Sequence, residues 1–183
     1  DLAEALRSFF WTDRCDWYLE ISKSRIKAGD ATVQQILLHC LRTSLQLLHP
    51  LMPFITEELW SKLPHNTQLP ITNCQLLITA PWPTFDPARL DPAAESQLAL
   101  IQSITSAIRE IQNRYPAAKG QPVIIKPHTP ELQHTIEQSR TIIEALAGTT
   151  IAENAPTAAK PANAATALLS DGGGAEIYIA NVI

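Results

Sequence analysis

The sequence predicts a mainly α protein in which a helical bundle is followed by a small α+β subdomain. Three observations carry this expectation. Long stretches free of Gly and Pro place apolar residues at helical spacing, and prolines fall at the ends of those stretches. Beyond residue 116 the pattern changes to short β-branched runs and one glycine-rich turn. The expected domains are therefore 1–116, helical, and 117–183, a β-α-β-β-β unit. With 45% hydrophobic and 17% charged residues in 183, the chain can bury a core.

Residues 3–27 are spaced as one long amphipathic helix that stops at Ala28-Gly29-Asp30. Thr32 is the expected cap of a second helix with Val33, Ile36, Leu37, Cys40, Leu41, Leu45 and Leu48 on its apolar face. Pro50 ends it, because the residue before a proline is driven out of the helical region. Pro53 suits the first turn of a short helix through Leu63, with Glu57 and Glu58 toward its positive end. Residues 64–92 hold six prolines and one apolar run, Leu76-Leu77-Ile78, and read as an extended excursion. A third long helix follows Asp91-Pro92, with Leu98, Ile101, Ile104, Thr105, Ile108, Ile111 and Tyr115 on one face.

In the second part, Val123–Ile125 reads as a strand and Pro130–Leu146 as a helix closed by Gly148. Thr149–Ala152 reads as a further strand, and the Ala/Pro-rich stretch Ala152–Ala167 as a loose connection. Ala167–Ser170 and Glu176–Ile179 flank Asp171-Gly172-Gly173-Gly174, a turn suited to a hairpin.

Composition excludes several function classes. The longest apolar runs fall short of the ~18 residues that a membrane-spanning helix needs. Asp1-Leu2-Ala3-Glu4 carries no secretory signal and no initiator Met, so an internal piece of a cytoplasmic protein is expected. Cys15, Cys40 and Cys74 are odd in number and far apart, and with five scattered histidines they support neither a disulfide framework nor a metal site. No Gly-rich phosphate loop, Gly-x-Ser-x-Gly or His-Glu-x-x-His occurs. Asp13 and Asp16 read as a solvated flank rather than an acid–base pair, and His39 and His49 as structural. A net charge of −4 argues against indiscriminate nucleic-acid binding. Residues 1–121 nevertheless carry 11 Lys+Arg against 12 Asp+Glu, whereas 122–183 carry 3 against 6, so a polyanion site belongs to the first part.

At about 100° per residue, Leu6, Phe10, Trp17 and Ile21 gather into a core face of the first helix. Arg7, Trp11, Arg14, Tyr18 and Arg25 gather on a flank within roughly 60°. Guanidinium groups meet phosphates while the rings offer stacking faces to unpaired bases, a combination suited to single-stranded RNA. The plainer reading, better supported for an isolated helix, has Trp11 and Tyr18 widening the core and the arginines snorkelling beside them.

Two stretches go beyond pattern. Leu47-Leu48-His49-Pro50-Leu51-Met52-Pro53-Phe54-Ile55-Thr56-Glu57-Glu58-Leu59-Trp60 resembles the signature of the anticodon-binding helical domain of class I aminoacyl-tRNA synthetases, in the form typical of valyl-tRNA synthetases. Trp11-Thr12-Asp13-Arg14-Cys15-Asp16-Trp17-Tyr18-Leu19-Glu20-Ile21-Ser22-Lys23 is similar to a Cys-Asp-Trp-Tyr-(Ile/Leu)-Glu segment of the same family. Pro81-Trp82-Pro83 and Ile108-Arg109 have family counterparts in the same order. Where the family reads Ile-Arg-x-x-Arg-x-Glu, this chain has Gln112 and Arg114 in the later positions, so of that motif only Arg109 matches.

The resemblance implies the anticodon-binding region of an enzyme that joins valine to tRNA with ATP and Mg²⁺. It implies tRNA(Val) and the catalytic domain of the same polypeptide as partners, and a helical hairpin following this region. The motifs that bind ATP and the editing domain are absent from these residues, so neither a catalytic site nor a cofactor is expected within them. The corner carrying Phe54, Leu59 and Trp60 is expected to lock two helices rather than touch RNA. Candidate tRNA contacts are Arg7, Trp11, Arg14, Tyr18, Lys23, Arg25 and Arg109. The alternatives are the same module from an isoleucyl- or leucyl-tRNA synthetase, and a helical protein-interaction module that has lost RNA binding.

Overall fold

The computed structural model describes residues 1–64, 76–169, 174–180 and 182. It forms two compact units, Asp1–Arg89 and Leu90–Ile183. A helical part precedes a small four-stranded mixed sheet, as the sequence pattern implies.

The first unit opens with an unbroken helical run made of α1 (Leu2–Ser8), a π-helical segment (Phe9–Leu19) and α2 (Glu20–Lys27). The Asp1 carboxylate caps it by accepting from Ala3 N at 2.9 Å. Gly29, at φ +77°, then turns the chain. The cap of α3 (Ala31–Leu48) is Asp30 rather than Thr32. Its carboxylate accepts from Thr32 N at 2.9 Å and Val33 N at 3.4 Å, which makes Thr32 the second helical residue. Arg25 binds the same carboxylate at 2.9 Å and ties the end of α2 to the start of α3.

His49 and Pro50 end α3, and Pro53 opens α4 (Pro53–Ser61). The corner is held by polar groups. The buried Thr56 Oγ1 lies 2.8 Å from Met52 O and forms a hydrogen bond of 2.8 Å with His49 Nδ1. Trp60 is buried at 4% exposure with Leu45 and Leu77. Phe54 and Leu59, expected to lock this corner, are exposed, Phe54 at 91%. Leu77 reaches the cluster because Glu57 accepts from Leu77 N at 2.6 Å and Ile78 N at 3.4 Å. Of the predicted excursion, residues 65–75 and Cys74 within them lie outside the described residues.

In the second unit, α5 (Pro92–Arg114) starts at an Asp91 cap with Pro92 in the first turn. Ile101, Ile104, Ile108 and Ile111 are buried in one cluster with Val123, Ile125, Ile177 and Ile179 of the sheet. The helix that sequence order groups with the bundle thus builds its core with the strands. The sheet comprises β1 (Val123–Pro127), β2 (Ile151–Asn154), β3 (Ala165–Leu169) and β4 (Ala175–Ile179), in the order β2-β1-β4-β3. β1 runs parallel to β2 and antiparallel to β4, and β3 is antiparallel to β4.

The crossover between β1 and β2 is not one helix over Pro130–Leu146. Ser139 leaves helical geometry (φ −96°, ψ 3°) and divides it into α6 (Pro130–Gln138) and α7 (Arg140–Ala147). Serine competes with the backbone for hydrogen bonds and is a weak helix former, which favours a break there. Gly148, at φ 63°, closes α7 as expected. Residues 171–173 of the predicted hairpin turn lie outside the described residues.

Candidate nucleic-acid interface

The π segment decides what the first helical run presents. Leu6, Phe10, Arg14, Tyr18, Ser22 and Ile26, spaced by four throughout, are all withdrawn from solvent, Leu6 and Ser22 fully and the others by part. Four residues of α-helix overshoot one turn by roughly 40°, so such a row would normally wind around the helix. In the wider π turn, closed by i→i+5 bonds, four residues fall short of a turn. Placing Phe9–Leu19 between two α segments makes the drifts oppose each other, and the row stays on one side.

A wheel drawn at one angle per residue therefore does not hold across Phe9–Leu19. Leu6 of the assigned core face is buried, and Phe10, Trp17 and Ile21 are half-buried. Arg14 and Tyr18, assigned to the open flank, are half-buried to the same degree. The Arg14 guanidinium donates to Leu37 O at 3.3 Å and lies 4.9 Å from the centre of the Phe10 ring. Its Nε is inaccessible to solvent and has no hydrogen-bond partner among the described residues. Burial pushes the Cys40 thiol up from its ordinary value, with the nearby Arg14 charge opposing the shift.

Arg7, Trp11, Lys23 and Arg25 remain open, Trp11 at 66% exposure. Each cation faces a carboxylate: Arg7 meets Glu4 at 2.7 Å, Lys23 meets Glu20 at 2.6 Å and Arg25 meets Asp30 at 2.8 Å. Hydrogen bonds from Arg7 hold Glu4 below the usual carboxylate range, and those from Arg25 do the same for Asp30. Exposed pairs of this kind are screened by solvent and contribute little to stability.

Arg109 belongs to the second unit and has a structural duty. It donates to Leu146 O at 2.9 Å, and Gln112, one turn on, donates to Ala147 O at 3.3 Å. Together they satisfy carbonyls that the end of α7 leaves without helical partners. The sequence reading missed this role of Gln112, and the hold of Glu57 on the returning chain. The one available signal was that both are polar residues beside otherwise apolar faces. Among the described residues, no His, Cys, Asp and Glu side chains converge as a metal site would require. No described helix is long and apolar enough to cross a membrane.

A family model described as the anticodon-binding domain of tRNA ligase matches residues 1–127. The valine–tRNA ligase of Petrotoga mobilis is 35% identical over 181 residues, covering 97% of this chain and 20% of that protein. That of Carboxydothermus hydrogenoformans is 34% identical over 153 residues, covering 80% of this chain and 16% of that protein. That of Fervidobacterium nodosum is 39% identical over 111 residues. The chain thus spans about a fifth or less of the length of these curated relatives.

Proposed function

The chain belongs to the family of tRNA-ligase anticodon-binding domains, and from that premise we propose that it is the tRNA-binding part of a valine–tRNA ligase. The supporting observation is the run of similarity to valine–tRNA ligases along 97% of the chain. In this reading the parent enzyme activates valine with ATP and Mg²⁺ in the cytoplasm and esterifies it to tRNA(Val). This region contributes recognition of the anticodon stem-loop and none of the chemistry. We assign the contact to the helical residues 1–116, of which α5 shares its core with the α+β subdomain 117–183.

Trp11 is the stacking candidate, because an exposed ring has no packing duty that RNA would disturb. Arg7, Lys23 and Arg25 are the phosphate candidates. Arg14 and Tyr18, half-buried, are further candidates in the first unit, and Arg109, which also holds the end of α7, is a candidate in the second. Binding of transcribed tRNA(Val) to the 183-residue chain, compared with tRNA(Ile) and repeated over a salt series, tests the reading. It requires preference for tRNA(Val) and an affinity that falls steeply with salt. Equal binding of both tRNAs would move the specificity elsewhere, and salt-independent binding would point to a protein-interaction module. That second reading is favoured by one observation, the carboxylate facing each of the exposed cations named above.

A further inference from the structure

The two edges of the sheet are finished differently. On β2, side chains occupy the outward backbone groups. Glu144 accepts from Ile151 N at 2.8 Å, Arg140 donates to Ile151 O, and Gln133 donates to Asn154 O at 2.9 Å. This edge is closed by α6 and α7. At the other edge stands β3, Ala165-Thr166-Ala167-Leu168-Leu169, whose paired side is taken by β4. Among the described residues no side chain reaches its outer backbone groups. An antiparallel edge strand turns the N–H and C=O of every second residue outward, and such a row is a template for another strand. Edges are ordinarily protected by charge, proline or a bulge; β3 has no charged residue, no proline and no register shift against β4.

The surroundings add a chemical preference. A groove of about 440 Å³ runs beside this edge, with Arg114, Tyr115 and Lys160 in its walls together with β3 itself. Glu110, which meets Arg114 at 2.9 Å with both side chains well exposed, supplies one negative charge. Lys160 has no carboxylate partner among the described residues, so the groove is left net positive. Leu168 stands 75% exposed on the strand, an apolar contact for an alternate side chain of an incoming segment.

We propose that the outer edge of β3 docks an extended acidic peptide segment, which adds to the sheet as a further strand and sets its carboxylates against Lys160 and Arg114. Outward amides and carbonyls in strand spacing match a peptide backbone, whereas an RNA backbone offers acceptors and few donors. This inference does not depend on the tRNA reading.

The test uses the whole 183-residue chain and two labelled, N-acetylated peptides, one alternating valine with glutamate and one alternating valine with lysine. Fluorescence anisotropy should show the acidic peptide binding about tenfold tighter, and amide exchange over Ala165–Leu169 should slow in its presence. N-methylation of alternate peptide residues should abolish binding, because it removes backbone donors. Ala167→Pro should do likewise on the protein side. If that variant misfolds, Lys160→Glu combined with Arg114→Glu decides, since it should reverse the preference between the peptides. Equal affinity for both peptides, or none for either, overturns the proposal. So does protection of the same amides by self-association at high protein concentration, or displacement of the bound peptide by poly-uridine.

Discussion

A guanidinium drawn partly out of water needs acceptors for its N–H groups, and Arg14 finds only some of them. Leu37 O takes one bond and the Phe10 ring faces the charge, while Nε is left without a partner among the described residues. Its aliphatic stem packs inward, so Arg14→Ala should lower stability by about 1–2 kcal/mol through lost packing and the cation–π contact. Thermal unfolding reads this, and a salt series on tRNA binding shows whether the slope stays unchanged. Should the slope fall by about one unit with folding intact, Arg14 is a phosphate contact. Trp11→Ala should behave oppositely, leaving unfolding unchanged and weakening tRNA binding by roughly 1–3 kcal/mol. In the second unit, Tyr178 hydrogen-bonds Glu176, and that bond to a carboxylate, reinforced by burial, pushes the phenol up to about 12. A phenol raised above its unfolded value of about 10 adds stability at pH below 10, lost as pH rises toward 12. Absorbance titration near 295 nm should find one late-titrating tyrosine, absent in Tyr178→Phe. The cationic and aromatic residue types were legible in the sequence. The inward turn of Arg14 was not, because the residues that lag in a π turn carry no signature in spacing.

Elements here are joined at their ends as much as along their faces. The corner between α3 and α4 was legible because proline acts locally: Pro50 and Pro53 forbid a continuous helix whatever surrounds them. What fills the corner was less so. Trp60 is buried but Phe54 is exposed, and the polar hold comes from Thr56, His49 and Glu57. Trp60→Ala should cost about 3–5 kcal/mol, as removal of a buried large ring does. Unfolding unchanged by that variant, with RNA binding lost, would make the corner a ligand site instead. The end of α7 offers a second test. Arg109 and Gln112 satisfy its last carbonyls, and a buried group stripped of its partner costs about 1–3 kcal/mol. Gln112→Ala should therefore destabilise the second unit by that order and leave tRNA affinity of the folded protein unaltered. Chemical denaturation and a filter-binding assay on the same preparation separate the two effects. From sequence, Gln112 registers only as a departure from the family's arginine; its partner is 35 residues away in the chain, beyond the reach of local pattern.

At the scale of the whole chain, pattern locates changes of secondary structure more readily than it locates compactness. The switch from helical to β spacing near residues 116–122 is real, yet α5 buries its isoleucines with the strands that follow it. Periodicity shows that α5 has an apolar face and is silent on which neighbour receives it. Function divides in a similar way. The chain spans about a fifth of the valine–tRNA ligases it resembles, and no motif for cradling phosphates or activating a carboxylate occurs in its 183 residues. On its own it should therefore catalyse neither valine-dependent ATP–pyrophosphate exchange nor aminoacylation. If it binds tRNA(Val) through the anticodon stem-loop, however, it should compete with a full-length valine–tRNA ligase for that substrate. Adding it in excess should slow aminoacylation while leaving ATP–pyrophosphate exchange, which needs no tRNA, at its normal rate. Raising tRNA(Val) should relieve the inhibition, whereas raising valine or ATP should not. If the contact exchanges carboxylates for phosphates around Arg7, Lys23 and Arg25, the inhibition should also weaken as salt rises. Exchange activity in the purified chain would sink the assignment of chemistry to the rest of the enzyme. Inhibition that tRNA cannot relieve would locate the interaction on the ligase instead of the RNA.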